Sequence, residues 1–237
     1  MKYILDIGCG TGYRTYQLSK SKDVAVTGID ISEDSISVAK SRYTGVNFVC
    51  VSGEKLPFDA HKFDAIYATD VFEHVDNLDL VINEVTRVLK PGGMLFIVVP
   101  NDVSELWLLK LRPTYHQEIH HVRIFKDGDL ESMLQTKGFK LVKLTRKNFM
   151  QHFELYYFFK TQRATATQLE IGKWDSNILN KAVHGISLLF DPYWVFNTPL
   201  KYFPLWIVTL PLGFVINYFG NKVMPKSMCY EFEKATD

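Results

Sequence analysis

Cysteine is scarce: Cys9, Cys50 and Cys229 are the only three in 237 residues, scattered and odd in number. They cannot form a disulfide framework, no Cys-x-x-Cys pair suggests zinc, and reduced thiols point to a cytoplasmic chain. Charge of one sign is lacking too, since 27 Lys and Arg face 26 Asp and Glu and no run of like charges forms a basic arm. Neutralising phosphates needs a basic face, so nucleic acid is not an expected partner. Met1 leads straight into a strand-like run without a charged segment, an apolar core and a small-residue cleavage site, so no secretory signal is expected. What is present is apolar: 47% hydrophobic residues over this length suit one elaborated domain or two small ones with a sizeable core.

Apolar runs alternate with helix-like segments from the first residue. Tyr3–Ile7, Val24–Ile29, Val46–Val51, Phe63–Ala68, Met94–Val99 and Phe139–Thr145 read as strands. Tyr13–Lys20, a segment capped by Ser32 and reaching Arg42, and Lys126–Lys137 with Gly138 as its stop read as helices. Asp79–Lys90 places Leu80, Ile82, Val85, Val88 and Leu89 mainly on one helical face, and Pro91-Gly92-Gly93 stops it. Short continuous strands alternating with helices predict an α/β doubly wound, mostly parallel sheet covered on both faces. Met228–Lys234 alternates with period two and predicts a seventh strand, antiparallel beside Phe139–Thr145. The expected organisation is a domain of residues 1–148 plus 226–237, with 149–225 inserted between two neighbouring strands.

Gly8-Cys9-Gly10-Thr11-Gly12 follows the first strand as a tight turn. Glycines there let backbone approach a ligand without Cβ atoms in the way, and Asp30, ending the second strand, can accept two ribose hydroxyls. Tyr13 stands where a dinucleotide fingerprint places its third glycine, which disfavours a nicotinamide or flavin cofactor.

Ile4-Leu5-Asp6-Ile7-Gly8-Cys9-Gly10-Thr11-Gly12 closely resembles the first motif of class I S-adenosyl-L-methionine (SAM)-dependent methyltransferases. Asp30, Leu56-Pro57-Phe58, Phe63-Asp64-Ala65-Ile66, Glu73-His74-Val75 and Val88-Leu89-Lys90-Pro91-Gly92-Gly93 follow in the family's order. The resemblance is to the branch of ubiquinone and menaquinone biosynthesis methyltransferases and many cell-envelope methyltransferases. It covers residues 1–148 and the last strand, and implies SAM as cofactor. Position by position, it places Asp6, Gly8, Gly10 and Gly12 around the methionine part of SAM, Asp30 on the ribose and Ile31 on the adenine. Ser52 stands where many relatives carry an acidic residue near the adenine amino group, and Thr69 would line the methyl-donor side. The chain begins at its first strand, where relatives carry a preceding helix that closes over the site. The insertion is therefore expected to exclude water in its place.

A hydroxyl acceptor benefits from a base. His74, just past the fourth strand where parallel sheets build their sites, is the first choice for that base, against a plain helix-start histidine. The resemblance suggests that His121, before Val122-Arg123, lies near the substrate entrance, and it ranks second; His116 and His120 read as polar loop surface. Relatives can also bind a divalent metal through Glu-x-x-Glu-His. Asp70, Glu73 and His74 correspond, on the expectation that residues three and four apart share a helical face. The expected reading nevertheless carries no metal. His116-x-x-x-His120-His121 has ligand spacing but no acidic partner fixed by it.

The insertion is aromatic and nearly uncharged. The chain has 17 Phe, 12 Tyr and 4 Trp, and 19 of these lie from Phe149 onward. Between Ile178 and Asn221 only Lys181, Asp191 and Lys201 are charged. Pro204, Pro211 and Gly213 interrupt the uncharged stretch 202–221, so a dip into one leaflet or an interfacial helix pair fits better than a span. Trp194, Tyr202, Trp206 and Tyr218 with Lys201 and Lys222 resemble interfacial anchors, giving peripheral membrane contact through 178–221 at the inner membrane face. The competing reading is an apolar lid on the sheet domain. The functional expectation is O-methylation of a hydrophobic or lipid-linked acceptor: a quinone, polyprenyl or lipid-linked sugar. The alternatives are a soluble methyltransferase for a small aromatic or sugar metabolite, and a non-catalytic SAM-binding or membrane-adapter protein.

Overall fold

A computed structural model describes residues 1–147, 152, 215 and 217–236. It divides into two compact units, one of Met1–Val99, Phe125–Thr145 and Cys229–Asp237, the other of Pro100–Ile124 and Arg146–Met228. Residues 100–124, kept with the sheet domain by the sequence reading, thus fall in the second unit. The anchors expected at 178–214 and most of the insertion lie outside the described residues. No helix among the described residues is long and apolar enough to cross a membrane.

The strands are β1 (Lys2–Ile7), β2 (Val24–Asp30), β3 (Asn47–Cys50), β4 (Phe63–Thr69), β5 (Leu89–Pro100), β6 (Phe139–Lys147) and β7 (Ser227–Lys234). They form one seven-stranded sheet in the order β3-β2-β1-β4-β5-β7-β6. β1 pairs parallel with both β2 and β4, so the chain reverses its winding direction between those two neighbours. β2–β3 and β4–β5 are parallel as well. The last strand runs antiparallel to β6: Lys226 N–H donates to Lys147 C=O at one end and Ala235 N–H to Gly138 C=O at the other. The fold is the Rossmann-like sheet that the alternation predicts.

Helices α1 (Tyr13–Ser19), α2 (Glu33–Arg42) and α3 (Leu78–Val88) belong to the first unit. Ser32 caps α2, its hydroxyl accepting from Ser35 N–H at 3.2 Å, a contact worth about 1 kcal/mol. α3 buries Leu78, Val81, Ile82, Val85 and Val88, each contributing about 1.5–3 kcal/mol of apolar burial. Leu80, expected on that face, is 44% exposed, because it stands two residues from both Leu78 and Ile82, about 200° around the helix from the buried face. Leu89 and Lys90 already belong to β5. Pro91-Gly92-Gly93 is an irregularity inside that strand: Phe63 pairs with Leu89 and Ala65 with Met94, so the intervening residues loop out of the ladder.

In the second unit, α4 (Asp102–Leu111) and the short α5 (Tyr115–Ile119) pack as a helical corner around Leu108, Tyr115 and Ile119. Asn101 caps α4 by accepting from Val103 and Ser104 N–H. Arg112 Nε donates to Glu118 Oε1 at 2.7 Å and ties the corner together. α6 (Asp129–Gln135), back in the first unit, ends before Gly138, whose φ of +81° makes it the expected stop.

Candidate functional site

Open parallel sheets bind ligands beyond the carboxyl ends of their strands, where the winding direction reverses. A cavity of about 370 Å³ lies at that place in the first unit. Its wall is built from the ends of β1 (Ile7, Gly8) and β2 (Ile29, Asp30, Ile31), and from the segments after β3 (Val51–Glu54) and β4 (Asp70, Val71, His74, Val75, Asp76). Val81 of α3 closes it.

The glycine turn is shaped for backbone rather than side chains. Gly8, Gly10 and Gly12 take φ values of +67°, +51° and +85°. A Cβ on Gly8 would run into Val71 Cγ2, and one on Gly12 would sit 2.7 Å from Phe48 Cζ and 2.8 Å from Ala39 Cβ. Asp30 organises the turn: its Oδ2 accepts from Gly10 N–H at 2.8 Å and its Oδ1 from Ser32 N–H at 2.9 Å. Asp6 lies wholly buried beneath, accepting from Thr15 Oγ1 at 2.7 Å. Burial pushes its carboxyl up, against the pull of Arg14 and of the Thr15 hydrogen bond, and Asp30 adds to the rise. Burial likewise pushes the Cys9 thiol up to about 12, with the negative charges of Asp6 and Asp30 adding to it.

Of the residues singled out in the sequence, Gly8, Asp30, Ile31, Ser52, Asp70 and His74 meet on the cavity wall. Asp6, Gly10, Gly12 and Thr69 are outside its lining: Asp6 and Gly12 are buried, Gly10 is tied to Asp30, and Thr69 is the last residue of β4. The helical face on which Asp70, Glu73 and His74 were to converge does not form. Asp70 takes a φ of +53°, residues 72–74 make a single turn closed by His74 N–H to Val71 C=O, and α3 opens only at Leu78. Glu73 and His74 offer ligating atoms within 4.8 Å of each other, and Asp70 is not grouped with them.

His121 belongs to the second unit. Its buried ring places Nδ1 2.7 Å from Glu105 Oε2, and His116 Nε2 lies 2.8 Å from the same oxygen. His116 is therefore a helical, hydrogen-bonded residue of α5 rather than plain loop surface. Glu105 went unnoticed in the sequence, where α4 places it eleven residues from one histidine and sixteen from the other. Burial works to raise its carboxyl, but the His121 hydrogen bond and the charges of Lys226, His121 and His116 hold it below the ordinary value.

The residues present fit SAM. An acidic side chain ends β2, a hydroxyl at Ser52 follows β3, and Ile31 lines the cavity while 78% exposed, a bare apolar surface suited to an adenine ring. The sheet order, the cavity where the winding reverses and the left-handed glycine turn together define the class I methyltransferase fold. Residues 5–97 match a family model described as a methyltransferase domain. An O-methyltransferase of Aspergillus nomiae, rstn1, is 32% identical over 60% of this chain and 66% of its own. A ubiquinone biosynthesis O-methyltransferase of Coxiella burnetii is 38% identical over 61% of this chain and 66% of its own. Both matches thus stop short of two thirds of the relative's length.

Among solved structures, a SAM-dependent methyltransferase of Methanosarcina mazei is 28% identical with a TM-score of 0.51, over 62% of this chain and 83% of that one. The YcgJ protein of Bacillus subtilis shares the fold at a TM-score of 0.56 and 20% identity, over 100% of this chain and 93% of that one. Residues 5–97 thus carry a SAM-dependent methyltransferase domain, and SAM is the cofactor that this domain implies.

Proposed function

We propose that the protein transfers a methyl group from SAM to a hydroxyl of a hydrophobic acceptor, a quinone-like or lipid-linked molecule. The observation that carries this reading is the cavity wall, on which Asp30, Ile31 and Ser52 stand with a half-buried histidine. Asp30 would accept the ribose hydroxyls with the oxygens that now hold Gly10 and Ser32 N–H, Ile31 would pack on the adenine, and Ser52 would face its amino group. Gly8 would give the methionine part close access to backbone; Asp6, Gly10 and Gly12 hold that turn from behind, and Thr69 stands at the end of β4 on the donor side. When bound, SAM supplies an electrophilic methyl on a positively charged sulfur. Position supplies much of the rate, and His74 takes the acceptor's hydroxyl proton on its imidazole nitrogen. We assign the base to His74 rather than His121, because His74 stands on the cavity wall and His121 is outside its lining.

The hydrophobic acceptor is supported by the curated relatives named O-methyltransferases, one of them in ubiquinone biosynthesis. It is supported again by a bare apolar stripe on the helical segment 217–223 and its neighbour 215. There Val215, Tyr218, Phe219 and Val223 are exposed, with Lys222 over the Tyr218 ring at 4.1 Å. An apolar stripe edged by lysine suits the surface of a membrane.

The test incubates purified protein with methyl-labelled SAM and a membrane-containing extract of the source cells, then partitions the products between organic and aqueous phases. Protein-dependent label in the organic phase, lost in His74→Gln while SAM affinity stays unchanged, is the expected result. Label confined to the aqueous phase overturns the hydrophobic acceptor. A His74→Gln variant of normal rate removes His74 as the base.

A further inference from the structure

Three potential metal ligands converge inside the second unit, on elements that the methyl-transfer reading does not use. Glu105 Oε2, His116 Nε2 and His121 Nδ1 lie within 4.8 Å of one another. Side-chain exposure is 2% for Glu105, 1% for His121 and 18% for His116, so the cluster is buried with one edge open at His116. The scaffold is held by hydrogen bonds. Asn101 caps the helix that carries Glu105, Glu105 N–H bonds back to Asn101 C=O, and His121 N–H bonds to His116 C=O across the end of α5. His120 between them takes the left-handed conformation that turns the chain back, and Tyr115 is 2% exposed beneath.

One atom of this cluster is unsatisfied: Glu105 Oε1 is buried and has no hydrogen-bond partner among the described residues. A buried acceptor left bare costs about 1–3 kcal/mol, and more on a charged group. Two imidazoles sharing one carboxylate oxygen explain Oε2 and leave that cost standing. A cation bound by the carboxylate and both rings relieves it, through bidentate contact or through an ion-bound water donating to Oε1.

We propose that Glu105, His116 and His121 form a binding site for one divalent first-row transition ion, of which zinc is the best match. Two imidazoles and a carboxylate with a fourth position left for water is an established zinc donor set, and the same set serves iron, cobalt and nickel. Zinc bonds of about 2.0–2.2 Å put tetrahedral ligand atoms roughly 3.3 Å apart, so the present contacts need to open by only about half an ångström. The exposed edge of the His116 ring gives the ion its way in.

The experiment strips the full-length protein of metal and titrates it with Zn²⁺ against a chromophoric chelator. A parallel titration with Co²⁺ is followed by its visible ligand-field bands. One equivalent of tight binding is expected, weakened at least about tenfold in Glu105→Gln and in His116→Ala. The His116 variant keeps the test open if Glu105→Gln fails to fold, since His116 stands at the exposed edge. Absence of stoichiometric binding overturns the site and leaves Glu105 as a hydrogen-bond acceptor for two histidines. Binding that survives both variants but is lost on Glu73→Gln or His74→Ala overturns it too, by placing the ion at the turn after β4.

Discussion

The amide of Gly10 donates to Oδ2 of Asp30 across 2.8 Å, joining the glycine turn to the end of a strand twenty residues away. The same carboxylate holds Ser32 N–H at 2.9 Å, so one side chain fixes both the turn and the start of α2. Asp30→Ala removes both bonds and, on the proposed reading, the ribose acceptor. Hydrogen bonds to a charged group contribute about 1.5–3 kcal/mol, so SAM affinity should fall at least about tenfold. Isothermal titration with SAM measures it, and an unchanged dissociation constant would remove Asp30 from the ribose.

Within the turn, two glycines should differ in how they respond to alanine. Gly12, at φ +85°, would bring a Cβ against Phe48 and Ala39, whereas Gly10, at φ +51°, has nothing within 4 Å. Gly10→Ala meets left-handed strain alone, about 1–2 kcal/mol. Gly12→Ala adds overpacking of about 1–3 kcal/mol. For a chain of this length each kcal/mol moves the melting temperature by about 2–4 °C. Gly12→Ala should therefore melt several degrees below Gly10→Ala in differential scanning calorimetry; equal melting points would mean that the Phe48 and Ala39 side chains simply move aside.

Cys9 and Cys50 should separate cleanly in reactivity. The thiolate is the nucleophile, and Cys9, 8% exposed with its thiol pushed up to about 12, is almost wholly protonated at pH 8. Cys50 is an exposed free cysteine at the end of β3. Iodoacetamide at pH 8, followed by peptide mass spectrometry, should label Cys50 in the folded protein and reach Cys9 only after denaturation. Labelling of Cys9 at the rate of Cys50 would show that the turn opens far more often than its packing allows.

Much of the first unit was legible because its signals are local. The glycine turn, Asp30 and the Ser32 cap act over a few residues or at a fixed spacing, and the period-two pattern of residues 228–234 fixed the last strand. Boundaries were harder. The helix α3 starts one residue earlier than expected and adds Leu78 to its buried face, opposite Leu80, and Pro91-Gly92-Gly93 loops out inside a strand where it read as the end of a helix. Glu105 carried no local signal at all. Its meaning comes from the α4–α5 corner, which folds two histidines back onto it, and only the length of the intervening turn hints at that return.

The Leu56-Pro57-Phe58 segment, legible as a family motif, is held by a charged clamp on α3. Glu84 Oε2 accepts from Leu56 N–H at 2.7 Å, and Arg87 donates to Leu56 and Phe58 C=O at 3.0 and 2.7 Å. Glu84 and Arg87 bond to each other as well, at 2.6 Å. The Arg87 hydrogen bond, against the opposing effect of burial and with help from Leu56 N–H, holds the Glu84 carboxyl below its ordinary 4.5. The unfolded chain therefore binds the proton first as pH falls, and stability rises with pH across that interval. The clamp's contribution is complete above about pH 4.5, where the unfolded carboxyl is ionised, and is lost as pH falls through the folded value. Solvent screens a partly exposed pair, so about 1 kcal/mol is the expected size. Urea melts of wild type and Glu84→Gln should differ by that amount at pH 7 and draw together below pH 4. A gap that stays constant down to pH 3 would mean that the substitution acts through packing rather than through the charge on Glu84.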